Sequence, residues 1–279
     1  MEISSRIPVI RVAEDQAFEF EDLVASEMAI TLLVNGVSIV SLLCSPSDLE
    51  ALAVGFLLSE GLLTAREDLR QVKIDEKATT IEITLASLPE NWQEAFHSKT
   101  LTSGCGKGIT FTSTSALRRL APVRSRLVVD PADILRLLKD FRTISTQFRQ
   151  TGGVHSAALA TKEKILFFTE DIGRHNAVDK LIGRAFLDSL PLADKIILSS
   201  GRISGEIMTK VIRNRIPILV SRTAPTCMSV TEAEDFGITL IGFARNRRMN
   251  IYSHPQRLLL PEEYTVKQSA DQDRFFDHE

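Results

Sequence analysis

The sequence is poor in cysteine and aromatic residues and has no long apolar run. Its three cysteines, Cys44, Cys105 and Cys227, are odd in number and far apart, and no Cys-x-x-Cys pair occurs. That argues against a disulfide framework and against a structural zinc site built from paired cysteines. No stretch approaches the roughly 18 apolar residues of a membrane helix. The longest, around 49 to 58, is interrupted by Glu50 and Gly55. The opening, MEISSRIPVIRVAEDQAFEFED, has no apolar core followed by small residues, so no secretory leader is expected. A reducing, cytoplasmic setting without a membrane partner follows as the expectation. Charge of one sign is also lacking: 33 Lys and Arg face 36 Asp and Glu, for a formal charge of −3. Such a balance gives no global attraction to nucleic acid, so any anion site must be a local cluster.

What is present is an ordinary globular composition, 44% hydrophobic and 25% charged over 279 residues. This length suits one large domain or two smaller ones. In the first part, β-rich runs at 30–34 and 37–43 flank Asn35-Gly36, a hairpin signal. Ser45-Pro46-Ser47-Asp48 marks a helix start, with Leu49, Leu52, Ala53, Phe56 and Leu57 at helical spacing and Gly61 as the end signal. Residues 72–74 and 79–85 alternate as a second hairpin. From Asp130-Pro131 the pattern changes. An amphipathic helix is expected to about Gln150, then strands at 157–161 and 165–169. A helix follows at 176–190 and a strand at 195–200. The last elements are a helix at 204–213, strands at 217–221 and 238–243, and a helix at 229–236. Helices between short, continuously apolar strands predict a buried, mostly parallel sheet. The fold class is thus α/β (α+β overall), with a smaller mixed N-terminal domain at 1–125 and a second domain at 126–279.

Several turns carry residues suited to chemistry. Cys105 lies in Ser103-Gly104-Cys105-Gly106-Lys107-Gly108, a glycine-rich loop where a thiol is sterically open and Lys107 favours the thiolate. An ordinary free cysteine in a turn is the alternative. Gly106-Lys107 is not a P-loop, because Leu101 stands where its first Gly belongs and Gly108 where Ser or Thr belongs. Cys44 and Cys227 are expected to be inert packing residues. Thr151-Gly152-Gly153-Val154-His155 offers His155 for proton transfer, anion contact or simply a turn hydrogen bond. Glu170 to Lys180 concentrates Gly173, Arg174, His175 and Asn176 where a strand gives way to a helix. Ser199 to Glu206, with Gly201 and Arg202, has the order of a backbone phosphate cradle. Arg222 follows the next strand. Phe243, Ala244, Arg245, Asn246, Arg247 and Arg248 follow the last, and guanidinium forks bind oxyanions bidentately. Turns of this kind after successive strands could converge on one sheet edge, implying a large, anionic, nucleotide-like ligand. Zinc deamination lacks its signature: His155 is followed by Ser156-Ala157, and Pro225-Thr226-Cys227 lacks the second cysteine. There is no G-x-S-x-G elbow for a serine hydrolase.

The segments EDIGRHNAVDKLIG (170–183), TGGVH (151–155), SSGRISGE (199–206), SRTAPT (221–226) and GFARNRRMNIYSHPQR (242–257) resemble the FdhD/NarQ family of formate dehydrogenase accessory sulfurtransferases. NGVSIVSLLCSPSDLEALAVGFLLSEGLL (35–63) is similar to the early hairpin and helix of that family. The resemblance implies a three-layer C-terminal domain similar to cytidine deaminases but without zinc. It implies transfer of persulfide sulfur from a cysteine desulfurase, on Cys105, to the molybdenum bis(molybdopterin guanine dinucleotide) cofactor destined for formate dehydrogenase. Residues 243–248 match the family's dinucleotide contact segment, GDP-like nucleotides are expected at the same site, and a homodimer is implied. Many relatives carry Cys-x-x-Cys where this chain has Cys105-Gly106-Lys107-Gly108. A chaperone that binds the molybdenum cofactor without sulfur chemistry is therefore the rival reading, and a nucleotide-binding hydrolase is a third.

Overall fold

The computed structural model describes residues 2–75, 77, 79–89, 92 and 120–261, and the backbone of 100, 101, 109 and 110. Its centre is a six-stranded sheet in the order β10-β9-β11-β12-β13-β14. These strands are β9 (His155–Ala160), β10 (Ile165–Asp171), β11 (Ile196–Ser199), β12 (Ile218–Ser221), β13 (Thr239–Arg245) and β14 (Arg248–Ser253). One face is covered by α2 (Pro131–Ile144), through Ile134, Leu137, Leu138 and Phe141. The other face is covered by α4 (Arg174–Leu187), α5 (Gly205–Arg213) and α6 (Cys227–Phe236). Alternate residues of one strand serve opposite faces: Ala157 and Leu159 meet the three-helix side, Ala158 and Ala160 meet α2.

The sheet is mixed, not mostly parallel. Only β11 with β12 and β12 with β13 run parallel. The cause is local: β9 and β10 form a hairpin, as do β13 and β14, and hairpins impose antiparallel pairing. The long helix expected from residue 131 also divides. Ser145 breaks the helical path at ψ 74, and α3 (Thr146–Thr151) begins anew. The Ser145 hydroxyl lies 2.8 Å from that of Ser156, and Glu170 accepts from the amides of Gln147 and Phe148 at 3.2 and 3.0 Å. A distant carboxylate therefore caps the second helix.

A second sheet, in the order β4-β3-β6-β5, comprises β3 (Met28–Val34), β4 (Val37–Cys44), β5 (Leu69–Asp75) and β6 (Thr80–Leu85). The expected turn joins β3 to β4, with Asn35 and Gly36 at φ 50° and 80°. α1 (Leu49–Glu60) packs on this sheet and is apolar nearly all round. Its other side lies on α4, which explains the missing polar face. Two glycines make that crossing possible. A Cβ on Gly55 would stand 1.8 Å from the Asp179 carbonyl oxygen, and one on Gly183 would stand 1.9 Å from that of Ala51. β1 (Ser4–Ala13) and β2 (Gln16–Ala25) form a separate hairpin. Two short strands, β7 (Thr100–Leu101) and β8 (Ile109–Thr110), pair antiparallel.

Gly183→Ala is expected to destabilise the protein by about 1–3 kcal/mol, as overpacking against rigid backbone does. Urea unfolding monitored by circular dichroism measures it. An unchanged midpoint would mean that the helices do not cross this closely.

Candidate functional site

The topology brings the polar turns together. β11, β12 and β13 end at one edge of the central sheet. β9 and β14 start there and β10 ends there, because each runs antiparallel to its inner neighbour. His155, the Asp171–Asn176 turn, Ser199–Arg202, Ser221–Thr223 and Arg245–Arg248 consequently share that edge. The turns are tied by backbone and hydroxyl bonds. Arg222 N donates to Ser199 O at 3.2 Å, Ser221 Oγ donates to Gly201 O at 2.7 Å, and Phe243 N donates to Thr223 O at 3.1 Å. Phe243 and Asn246 lie at φ 49° and 54°, in the left-handed region that bulky side chains avoid. A register shift between Gly242 and Arg245 accompanies them. Gly242 is required here: a Cβ would come within 2.9 Å of both Pro225 Cδ and Tyr252 Cε2.

Under this edge lies a buried ionic clamp. Asp171 and Lys180 have no exposed side-chain surface and pair at 2.7 Å. Asp171 also accepts from Ser45 N at 3.0 Å, Gly173 N at 2.8 Å and Asn176 Nδ2 at 2.9 Å. Asn176 Nδ2 donates besides to Leu43 O at 2.9 Å, and Ile172 N donates to Ser45 Oγ at 3.1 Å. Lys180 reaches Ser47 Oγ at 3.2 Å and the carbonyls of Ser45 and Glu170. A second pair, Lys210 with Asp179, receives Ser59 Oγ at 2.6 Å. Much of the densest charged motif thus joins the end of β4 and α1 to the central sheet. The sequence signal suggested a site; the clamp itself was not foreseen, because the partners that Ser45 and Ser59 supply stand 120 or more positions away.

The outward part of the motif does face the edge. Arg174 packs on Gly201, where a Cβ would meet Arg174 Cβ at 2.9 Å. His175 Nε2 stands 3.0 Å from Glu206 Oε2, a carboxylate at the start of α5 that the sequence reading did not single out. His155 Nδ1 lies 3.5 Å from Ser200 Oγ. Burial first, then the charges of Arg174 and His175, hold His155 below its ordinary value, favouring the neutral imidazole. Arg174, Arg202, Arg222, Arg245 and Arg247 have no carboxylate partner among the described residues. The Nε atoms of Arg174 and Arg222 are buried without acceptors. Guanidinium groups of this kind can pair with oxyanions bidentately. Ala244 contributes backbone only, since its side chain is in the core beneath α2.

The cysteines divide. Cys105 lies outside the described residues. Cys44 is buried, and its thiol is pushed up to about 12, by burial first and then by Asp171. This agrees with a packing role. Cys227 does not: it is exposed on the first turn of α6, because Thr226 caps that helix at the surface. Two surface cavities, of about 490 and 570 Å³, lie at the opposite sheet edge, around His254 and Gly237. The arginine-lined edge, not those cavities, carries the groups suited to an anion.

Comparison with known proteins identifies the family of the chain. The family model described as FdhD/NarQ family matches residues 25–259. The chain is 36% identical over 250 residues to the "Sulfur carrier protein FdhD" of Bacillus subtilis, spanning 90% of this chain and 95% of that protein. It is 39% identical to the protein of the same name in Halalkalibacterium halodurans, spanning 91% and 95%. Its fold is similar to the crystal structure of a protein assigned as a formate dehydrogenase accessory protein from Desulfotalea psychrophila. The TM-score is 0.76 at 25% identity, covering 92% of this chain and all of that one.

Two outcomes test the site's physical chemistry. Lys180→Met should cost about 3–5 kcal/mol by leaving Asp171 buried and unpaired; a loss below about 1 kcal/mol in urea unfolding would refute the clamp. Glu232, with a buried Oε2 lacking a hydrogen-bond partner, is pushed up from 4.5 to about 7 by burial first and then by Asp235. A raised carboxyl binds its proton more tightly when folded, so its stabilisation is present below about 4.5 and fades as pH rises through about 7. Unfolding midpoints of Glu232→Gln should therefore decline less over that window than those of the parent; parallel profiles would contradict the assignment.

Proposed function

Because the chain belongs to the FdhD/NarQ family, we propose that it carries sulfur, as a persulfide on Cys105, to the molybdenum bis(molybdopterin guanine dinucleotide) cofactor bound at the arginine-rich edge. It acts as an accessory protein for formate dehydrogenase. The observation that supports this reading most is the set of uncompensated guanidiniums at the carboxyl end of the central strands. A cofactor bearing two diphosphates and two guanines is an anionic substrate of the class such an edge favours. Arg174, Arg202, Arg222, Arg245, Arg247 and Arg248 would hold phosphates. His155, His175 and the Gly173 and Gly201 turns would shape the pocket, and the bulge at Phe243 would present the peptide groups of Ala244 and Asn246.

Loading is a thiol exchange on sulfur. The Cys105 thiolate attacks the terminal sulfur of a persulfide on a cysteine desulfurase, a new S–S bond forms, and the desulfurase cysteine leaves as its thiolate. Delivery of the outer sulfur as sulfide, with two electrons from a dithiol reductant, returns Cys105 to the thiolate. Lys107 favours that anion electrostatically. Cys44, shut in the core, does not replace a second loop thiol without further change. The chain acts without a membrane partner in this reading, and no helix of the described residues is long and apolar enough to cross one. A homodimer is proposed from the family.

The rival reading, a cofactor-binding chaperone without sulfur chemistry, draws on Gly108 standing where many relatives have a second cysteine. Intact mass after incubation with a cysteine desulfurase and cysteine separates the two. One added sulfur, removed by reductant and absent from Cys105→Ala, is expected. A folded protein that gains none beside an active desulfurase would favour the chaperone.

A further inference from the structure

The β1–β2 hairpin is an arm. Each strand has ten residues, so it reaches about 33 Å. None of its side chains is fully buried among the described residues. Its base is tied to α3: Gln147 Nε2 donates to Ile3 O at 2.8 Å, and a Cβ on Gly153 would stand 3.1 Å from Ala25 Cβ. Towards the tip, Ile10 and Val12 are 74% and 73% exposed. The register places Arg6, Ile10 and Val12 on one face with Glu19, Glu21 and Leu23. A two-stranded ribbon is marginal in water by itself, and bare aliphatic side chains on it call for a cover. The charges indicate which cover fits. β1 carries Arg6 and Arg11 and no acid, whereas β2 carries Glu19, Glu21 and Asp22 and no base. Within the arm, Arg6 stands 3.7 Å from Glu21 and Arg11 3.8 Å from Asp22, all well exposed. A ribbon that is basic along one side and acidic along the other is complementary to a copy of itself.

We propose that this arm is a dimerisation element, its face bearing Ile10 and Val12 packed on the same face of a second copy of the chain. Pairing of strand edges is disfavoured. Pro8 offers no N–H along β1, and joining two β2 edges would set acids beside acids. Stacking face to face about a two-fold axis parallel to the arm does the reverse. It lays the basic strand of each copy on the acidic strand of the other and brings the two aliphatic tips together. One face of the arm measures about 33 Å by 10 Å, less than half of the roughly 800 Å² per partner in a standard interface. The remainder is available at the base, where Ile144 and Phe148 of the α2–α3 junction are also exposed. The inference rests on the homodimer reading and names the surface that reading leaves open.

Size-exclusion chromatography with light scattering on the full chain tests it. The parent is expected at twice the chain mass. The double variant Ile10→Glu, Val12→Glu should weaken association by about a hundredfold or more, the effect of losing two buried aliphatic side chains from each copy. Leu259→Glu, which changes a bare aliphatic residue outside the arm, should remain a dimer. Both positions in the arm are exposed, so the double variant should fold, and circular dichroism verifies that. Hydrogen exchange of the parent gives a second measurement that needs no variant: protection within residues 4–25 should rise with protein concentration. A folded double variant that dimerises as tightly as the parent would overturn the arm as the interface, leave it to a different protein and let the homodimer reading stand. Exchange in the arm that is the same for monomer and dimer would do likewise. A parent that is monomeric at every concentration would end both.

Discussion

Everything at the functional edge hangs on one buried carboxylate. Asp171 closes β10, its side chain is fully buried, and Lys180 and three neutral donors surround it. Two of its partners hold the local turn, Gly173 and Asn176. Another, Ser45, belongs to the segment between β4 and α1. The carboxylate thereby sets the angle at which α4 leaves the sheet and pins the second sheet against it. Cys44, directly before that segment, is pushed up first by burial and then by the same anion, and both oppose thiolate formation.

The motif 170–180 shows how one stretch can serve two ends. Residues 173–175 face the edge, while Asn176, Asp179 and Lys180 turn inward. Gly183 continues that inward stripe and lets α1 approach, with Gly55 opposite. Helical spacing makes this division, since positions three and four apart share a face. In the sequence the motif is simply dense in charge, and charge density reads as a site. The partners that turn half of it into interior structure lie in Leu43–Ser59, beyond the range of any local pattern.

Local chemistry was legible where the cause was local. The Asn35-Gly36 turn, the Gly61 and Gly237 helix ends and the strand–turn–helix order of the second half are each dictated by a few adjacent residues. The β1–β2 hairpin escaped notice because its turn uses Glu14 and Asp15 in the left-handed region, with no glycine to announce it. β14 was hidden by the arginines and asparagines preceding it. The break at Ser145 depends on Ser156 and Glu170, and the mixed pairing of the sheet depends on which strands become neighbours. The turns after β11, β12 and β13 share one edge because those strands are parallel, whereas the antiparallel pairing of β9, β10 and β14 is what brings His155, Asp171 and Arg248 to it. The thiol of Cys105, the most pointed chemical signal in the sequence, lies outside the described residues, whereas the anion edge is described in full.

That edge is held in place by its surroundings. Holding Phe243 and Asn246 in the left-handed region costs on the order of 1–3 kcal/mol each. Burying guanidinium nitrogens without acceptors adds to it. The fold sustains both because the Phe243 amide is fixed to Thr223, Gly242 is wedged between Pro225 and Tyr252, and Arg174 is seated on Gly201. A surface whose only task was solubility would relax these features towards water or pair the arginines, as α2 does for Arg136. Their retention in a rigid frame places that cost on folding. The stability that offsets it resides in the two apolar cores and in the clamp beneath.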